Sequence, residues 1–166
     1  MRGAVFADTG FWIARLSPLD RLHGKARDVA RALGSVPILT SELVLVETLN
    51  AFSGGGVFVR ERAARLVDTL CADVRVEIVS HTPALFADAL ALFRGHSDKA
   101  WSLTDCASFS IMRRRGIKSA LAHDRHFEQA GFSQAPCFVA ALAKERQSIG
   151  EQSGCMRNDF HSHIGT

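Results

Sequence analysis

The feature that most constrains this chain is a repeated handover. A short apolar run of strand length reaches a polar or acidic residue, and a segment with helical apolar spacing follows. Ala4-Val5-Phe6-Ala7 passes through Asp8-Thr9-Gly10 into a helical pattern over 11–16. Val36-Pro37-Ile38-Leu39 passes through Thr40 and Ser41, both candidate helix caps, into a helix running to about Phe52. The run 117–122 passes through His123 and Asp124 into a short helix stopped by Gly131, and 74–79 is a further strand before Pro83 opens a helix over 84–93. Helices are also expected over 19–33, over 57–70 after the Gly54-Gly55-Gly56 break, and from Leu103 to Arg115, where Gly116 stops it; 136–139 is expected to form a last strand. Strands alternating with helices over short connections imply an α/β fold with a parallel sheet and right-handed crossovers.

A chain of 166 residues, 47% hydrophobic and 22% charged, has enough apolar material for one well-buried domain, expected over 1–143. Residues 144–166 are polar and are expected to form a flexible tail, in which His161 and His163 lack the further ligands that a metal site needs. The net charge of +3 permits a nucleic-acid partner without requiring one, and Arg60, Arg62 and Arg65 read as a solvated helix face. Cys71, Cys106, Cys137 and Cys155 are too scattered for a zinc site and are expected to be reduced and packed as small apolar residues. Neither a signal peptide nor a membrane span is expected, and the protein is expected to be cytoplasmic.

Four acids stand out against this background: Asp8, Glu47, Asp105 and Asp124. Each has an ordinary explanation. Asp8 is placed to cap a helix. Glu47 projects from a largely apolar helix face, at an exposed edge or in an ion pair. Asp105 lies three residues after Ser102, the spacing of a capping box, ahead of the apolar stripe of Leu103, Cys106, Ala107 and Phe109. A parallel sheet gives the four a joint explanation, because its sites lie beyond the carboxyl ends of the strands, where Asp8 and Asp124 stand and where the helices bearing Glu47 and Asp105 enter. Clustered carboxylates repel unless protons or cations compensate, and oxygen-only donors select hard cations such as magnesium or manganese. Such an ion lowers the pKa of bound water and stabilises a leaving oxygen, which points to phosphodiester cleavage.

The same residues carry a family resemblance. Phe6-Ala-Asp8-Thr-Gly, Ser41-Glu-Leu-Val-Leu-Val-Glu47-Thr-Leu-Asn, Asp98-Lys-Ala-Trp-Ser-Leu-Thr-Asp105-Cys-Ala-Ser-Phe and Ala122-His-Asp124-Arg-His-Phe127 resemble, in order and spacing, the motifs of PIN-domain ribonucleases, most closely the bacterial VapC-type toxins. The resemblance implies a three-layer α/β/α sandwich that cuts RNA with magnesium or manganese. It implies Asp8 and Asp105 as direct metal ligands, Glu47 and Asp124 as holders of the metal or its waters, and Thr104 and Asp98 as supporting residues. It further implies a homodimer inhibited by an antitoxin that covers the acidic pocket. One departure is Ala122, where many relatives carry a threonine; His123 is a candidate substitute. An RNA-processing nuclease outside toxin–antitoxin systems would use the same acids. A non-cleaving RNA-binding or partner-binding domain is a further alternative, although four acids would hinder phosphate binding without a metal between them. Asp8-Thr9-Gly10 also matches the aspartic-protease triplet, but that site needs a β-rich surround and a second triplet, and a helix-patterned segment follows here instead.

Overall fold

Apolar runs too short for helices pair into a sheet, and the amphipathic segments between them cover it. The computed structural model describes residues 3–135. In chain order the elements are β1 (Val5–Ala7), α1 (Thr9–Leu16), α2 (His23–Ala32), β2 (Ile38–Ser41), α3 (Glu42–Ala51), α4 (Gly56–Ala72), β3 (Val76–Val79), α5 (Pro83–Gly95), α6 (Leu103–Arg115), β4 (Ser119–Leu121), α7 (His126–Gln129) and β5 (Ser133–Gln134). The strands lie in the order β3-β2-β1-β4-β5, and every pairing is parallel. Register is set in the centre, where Phe6 lies opposite Leu39 on one side and Ala120 on the other. Helices and sheet form a three-layer α/β/α sandwich.

The core explains why β1 lies at the centre. Val5, Phe6 and Ala7 are all buried, as the strand's unbroken apolar sequence requires when both of its faces are covered. α6 is buried continuously from Asp105 to Met112, packed against α5, α3 and α7. Phe127 joins the two halves of this core: its ring centroid is 6.2 Å from that of Phe6 and 5.1 Å from that of Phe109, which in turn meets Trp101 at 5.0 Å. Burying rings of this size contributes roughly 1.5–3 kcal/mol each. The cluster anchors the start of α6 and the start of α7 to β1.

Several boundaries differ from the sequence expectation for local reasons. α2 begins at His23 rather than near Leu19, because the Asp20 carboxylate accepts the Leu22 N–H at 2.7 Å and holds 17–22 in turns. α7 begins at His126, in line with the expected handover at Asp124, which takes the His126 N–H at 3.0 Å. Of the two candidate caps, Ser41 accepts the Val44 N–H, whereas Thr40 stays in β2 and donates its hydroxyl to the Ala7 carbonyl at 2.9 Å. Gly116 ends α6 at φ 65°, a left-handed conformation that suits glycine. Cys106 is buried as expected, while Cys71 is exposed rather than packed. Arg62 and Arg65 are exposed, at the rim of a cavity of about 370 Å³ that Trp12, Arg15 and Leu66 also line. The strand expected at 136–139 and the tail at 144–166 lie outside the described residues. No helix among the described residues is long and apolar enough to cross a membrane.

Candidate active site

The chain leaves β1 for β2 on one side of the sheet, and β4 takes the place on the other side, so the carboxyl ends of β1 and β4 border a topological switch point. Asp8 immediately follows β1, and its backbone N–H still bonds the Leu121 carbonyl of β4 at 3.3 Å. Asp124 lies three residues past Leu121, the last residue of β4.

Asp8 caps α1 from extended backbone, with φ −91° and ψ 167°, and its Oδ2 accepts the Gly10 N–H at 3.4 Å. The exposed His123 ring packs over Gly10, where a Cβ would lie 3.4 Å from it, at van der Waals contact. Asp8 is only 5% exposed. Burial raises its carboxyl from 3.8 to about 7; the Thr9 N–H opposes the rise, the charges of Asp105 and Asp124 add to it, and the Gly10 N–H opposes it again. Capping alone would favour an ionised, lowered carboxyl. Asp8 is held in the opposite condition, next to two other acids.

Asp105 satisfies the capping expectation in full. Ser102 Oγ accepts the Asp105 N–H at 3.0 Å, and Asp105 Oδ2 accepts the Ser102 N–H at 2.7 Å. The same Oδ2 lies 3.0 Å from His126 Nδ1. Asp124 Oδ1 accepts the backbone N–H of that histidine. Asp105, Asp124 and His126 thereby each bring one ligand atom to within 4.8 Å of the others. Asp8 stands beside this trio and feels its charge without belonging to it.

Glu47 is half-buried on α3, and its partner is a hydroxyl rather than an arginine: Thr9 Oγ1 donates to Oε2 at 2.6 Å. Since Thr9 is the residue after Asp8, this bond ties Glu47 to the same edge. Thr104 is half-buried in the first turn of α6, next to Asp105. Asp98 lies in the exposed loop before α6, where an ion pair with Lys99 at 2.9 Å lowers its pKa; it makes no hydrogen bond to the four acids. Ala122 is buried, and His123 is exposed beside Asp124. Two residues not singled out from sequence are Thr9 and His126. Each has a local signal: Thr9 adjoins Asp8, and His126 lies two positions after Asp124, the spacing of an Asx turn.

The carboxylates of Asp105 and Asp124, with a buried Asp8 carboxyl close enough to feel both charges, fit a divalent cation, whose charge would relieve the repulsion among the acids.

Comparison with known proteins agrees with this geometry. The family model described as the PIN domain matches residues 5–133. The 23S rRNA-specific endonuclease VapC20 of Mycobacterium tuberculosis is 38% identical over 133 residues, which cover 77% of this chain and 95% of that protein. The crystal structure of VapC20, described as a sarcin-ricin loop cleaving toxin, superposes with a TM-score of 0.71 at 30% identity, covering 79% of this chain and 98% of that one. The crystal structure of FitAcB from Neisseria gonorrhoeae shares the fold, with a TM-score of 0.55 at 13% identity over 81% of this chain and 98% of that one.

Proposed function

We propose, from the premise that this chain belongs to the PIN-domain family, that it is a metal-dependent endoribonuclease, the toxin of a toxin–antitoxin pair. The observation that carries the reading is the meeting of Asp8, Asp105 and Asp124 at the switch point, with Asp8 too buried and too close to like charge to ionise readily. Asp8 and Asp105 would be direct ligands of magnesium or manganese, with Asp124 and Glu47 holding the metal or its waters. When bound, the cation would supply an activated water and neutralise the charge that builds on the phosphodiester.

The chain's own residues set the geometry. The capping box fixes Asp105 to the start of α6, the Asx turn fixes Asp124 past β4, and Thr9 fixes Glu47 beside Asp8. None of these acids is placed by a surface ion pair that could open independently of the fold. The extent of similarity to a 23S rRNA endonuclease makes large-subunit ribosomal RNA, at its sarcin-ricin loop, the substrate to test first. In keeping with the toxin reading, a cognate antitoxin would cover the acidic edge in the cytoplasm. Val57 and Phe58, 72% and 86% exposed on α4, offer apolar surface for a second protein chain, consistent with a homodimer or an antitoxin contact.

The test is cleavage of end-labelled ribosomal RNA by the wild type and by Asp105→Asn, each with magnesium, manganese or a chelator. Cleavage is expected from the wild type only, and only with metal. The variant should fall by about a thousandfold, equivalent to roughly 4 kcal/mol of barrier. Its melting temperature should stay close to the wild-type value, because an amide oxygen can still accept the Ser102 N–H. Metal-independent cleavage, or an active variant, would remove Asp105 from the chemistry.

A further inference from the structure

We infer that His126 is a positioning residue of this site: through Nδ1–H it holds one oxygen of Asp105 and leaves the other free to face the metal. The inference rests on the nuclease reading above and deepens it.

Asp105 Oδ2 receives two donors, the Ser102 backbone N–H at 2.7 Å and His126 Nδ1 at 3.0 Å. Oδ1 has no hydrogen bond among the described residues. A carboxylate tied at one oxygen by donors on two separate segments resists rotation about its Cβ–Cγ bond, so Oδ1 is the oxygen left to coordinate. The capping box alone would not achieve this, because a single bond from Ser102 leaves the carboxylate free to pivot around it. Donation to a carboxylate requires the hydrogen on Nδ1, which fixes the imidazole tautomer.

His126 is itself held from three sides. Its backbone N–H bonds Asp124 Oδ1 at 3.0 Å, it opens α7, and the next residue, Phe127, is buried in the aromatic core at 1% exposure. One short segment therefore delivers Asp124 and the donor that orients Asp105, both registered against Phe6 and Phe109 beneath. Partners of ligating carboxylates typically influence metal affinity 10- to 100-fold.

The atom-level assignment separates two substitutions. In His126→Asn the amide nitrogen occupies the place of Nδ1, keeping a donor toward Asp105 while losing Nε2. In His126→Gln the amide reaches toward the place of Nε2 and loses Nδ1. Manganese affinity of the full chain, read by electron paramagnetic resonance of the free ion, should be near wild type for Asn and about 10- to 100-fold weaker for Gln and for His126→Ala. RNA cleavage at subsaturating manganese should follow the same order. In an Asp105→Asn background His126→Ala should weaken manganese binding no further. Melting temperature and circular dichroism identify any variant that is merely unfolded, and the Asn and Gln pair decides the matter even if Ala fails to fold. If Gln retains affinity and Asn loses it, His126 acts through Nε2 as a direct ligand and the inference is overturned. Equal affinity in all variants overturns it too. A wild type that cleaves and binds manganese while the variants are unchanged refutes the role of His126 alone; a wild type that binds no manganese refutes the metal reading and this role with it.

Discussion

Charge is handled in two opposite ways in this molecule. Away from the carboxyl edge of the sheet, acids meet arginines at the surface: Asp73 with Arg75, Glu77 with Arg115 and Asp88 with Arg114. At the carboxyl edge Asp8, Asp105 and Asp124 face one another, and the basic group among their direct partners is a histidine. The surface pairs cost little to form and contribute little, because water screens both partners. The edge acids are expensive, because burial strips their solvation and like charge adds repulsion. Under the metal-dependent reading proposed above, a bound cation would offset that cost. The difference therefore separates the part of the molecule shaped by folding from the part shaped by chemistry.

The contrast can be attacked directly. The largest effect is expected at Asp8. Its carboxyl titrates near 7 when folded and near 3.8 when unfolded, so the folded chain binds the proton more tightly between those values. The contribution of Asp8 to the stability of the protein in chelator should be greatest below pH 4, fall as pH rises toward 7, and level off above; the full difference is on the order of 4 kcal/mol. Asp8→Asn removes that dependence, and at pH 8 in chelator the variant should outlast the wild type in urea denaturation by about 2–4 kcal/mol. Manganese should restore the wild type and leave the variant unmoved. A variant less stable than the wild type at pH 8 would mean that the cap on α1 outweighs the repulsion, and the contrast would fail at its strongest point.

A smaller effect is expected at Thr9, whose hydroxyl is the recorded tie between α1 and Glu47. Thr9→Val keeps the shape and removes the donor. Stability should fall by about 1 kcal/mol, and manganese affinity by about tenfold, as for other partners of ligating groups. Urea denaturation tests the first and calorimetric titration of the folded variant the second; unchanged affinity would release Glu47 from the site. The smallest effect belongs to the other region. Arg115→Gln breaks the pair with Glu77, whose side chains are 46% and 34% exposed, and should change stability by less than about 1 kcal/mol with cleavage intact. Loss of activity there would mean that the paired surface is also part of the machinery.

The site was legible to the extent that it rests on local rules. Asp105 could be placed because a capping box is a four-residue pattern with its own hydrogen bonds, and both bonds form. Asp8 could be placed because an acid at a strand-to-helix handover caps the helix, and Ser41 for the same reason. The same reasoning failed where a local bond competed with a longer pattern. Asp20 draws the Leu22 N–H into a turn and shortens the helix that apolar spacing extends through it. Glu47 stands out on an apolar face, where the sequence suggests an exposed edge or an ion pair, and its partner is instead a hydroxyl. A threonine 38 positions earlier could satisfy it only after α1 and α3 had packed together.

What the sequence determined by itself is the alternation of strands and helices from β1 to β4 and the edge on which the acids gather, since strand polarity and helix capping act over a few residues and do not wait for the rest of the chain. The tertiary structure decided which atoms of those acids are tied and which are free. Asp105 Oδ2 meets His126 across 21 positions, and Asp8 is pushed toward neutrality by burial and by two acids carried on other elements. Burial and charge act through space, and their values exist only once the sheet has closed and water has been excluded from its edge.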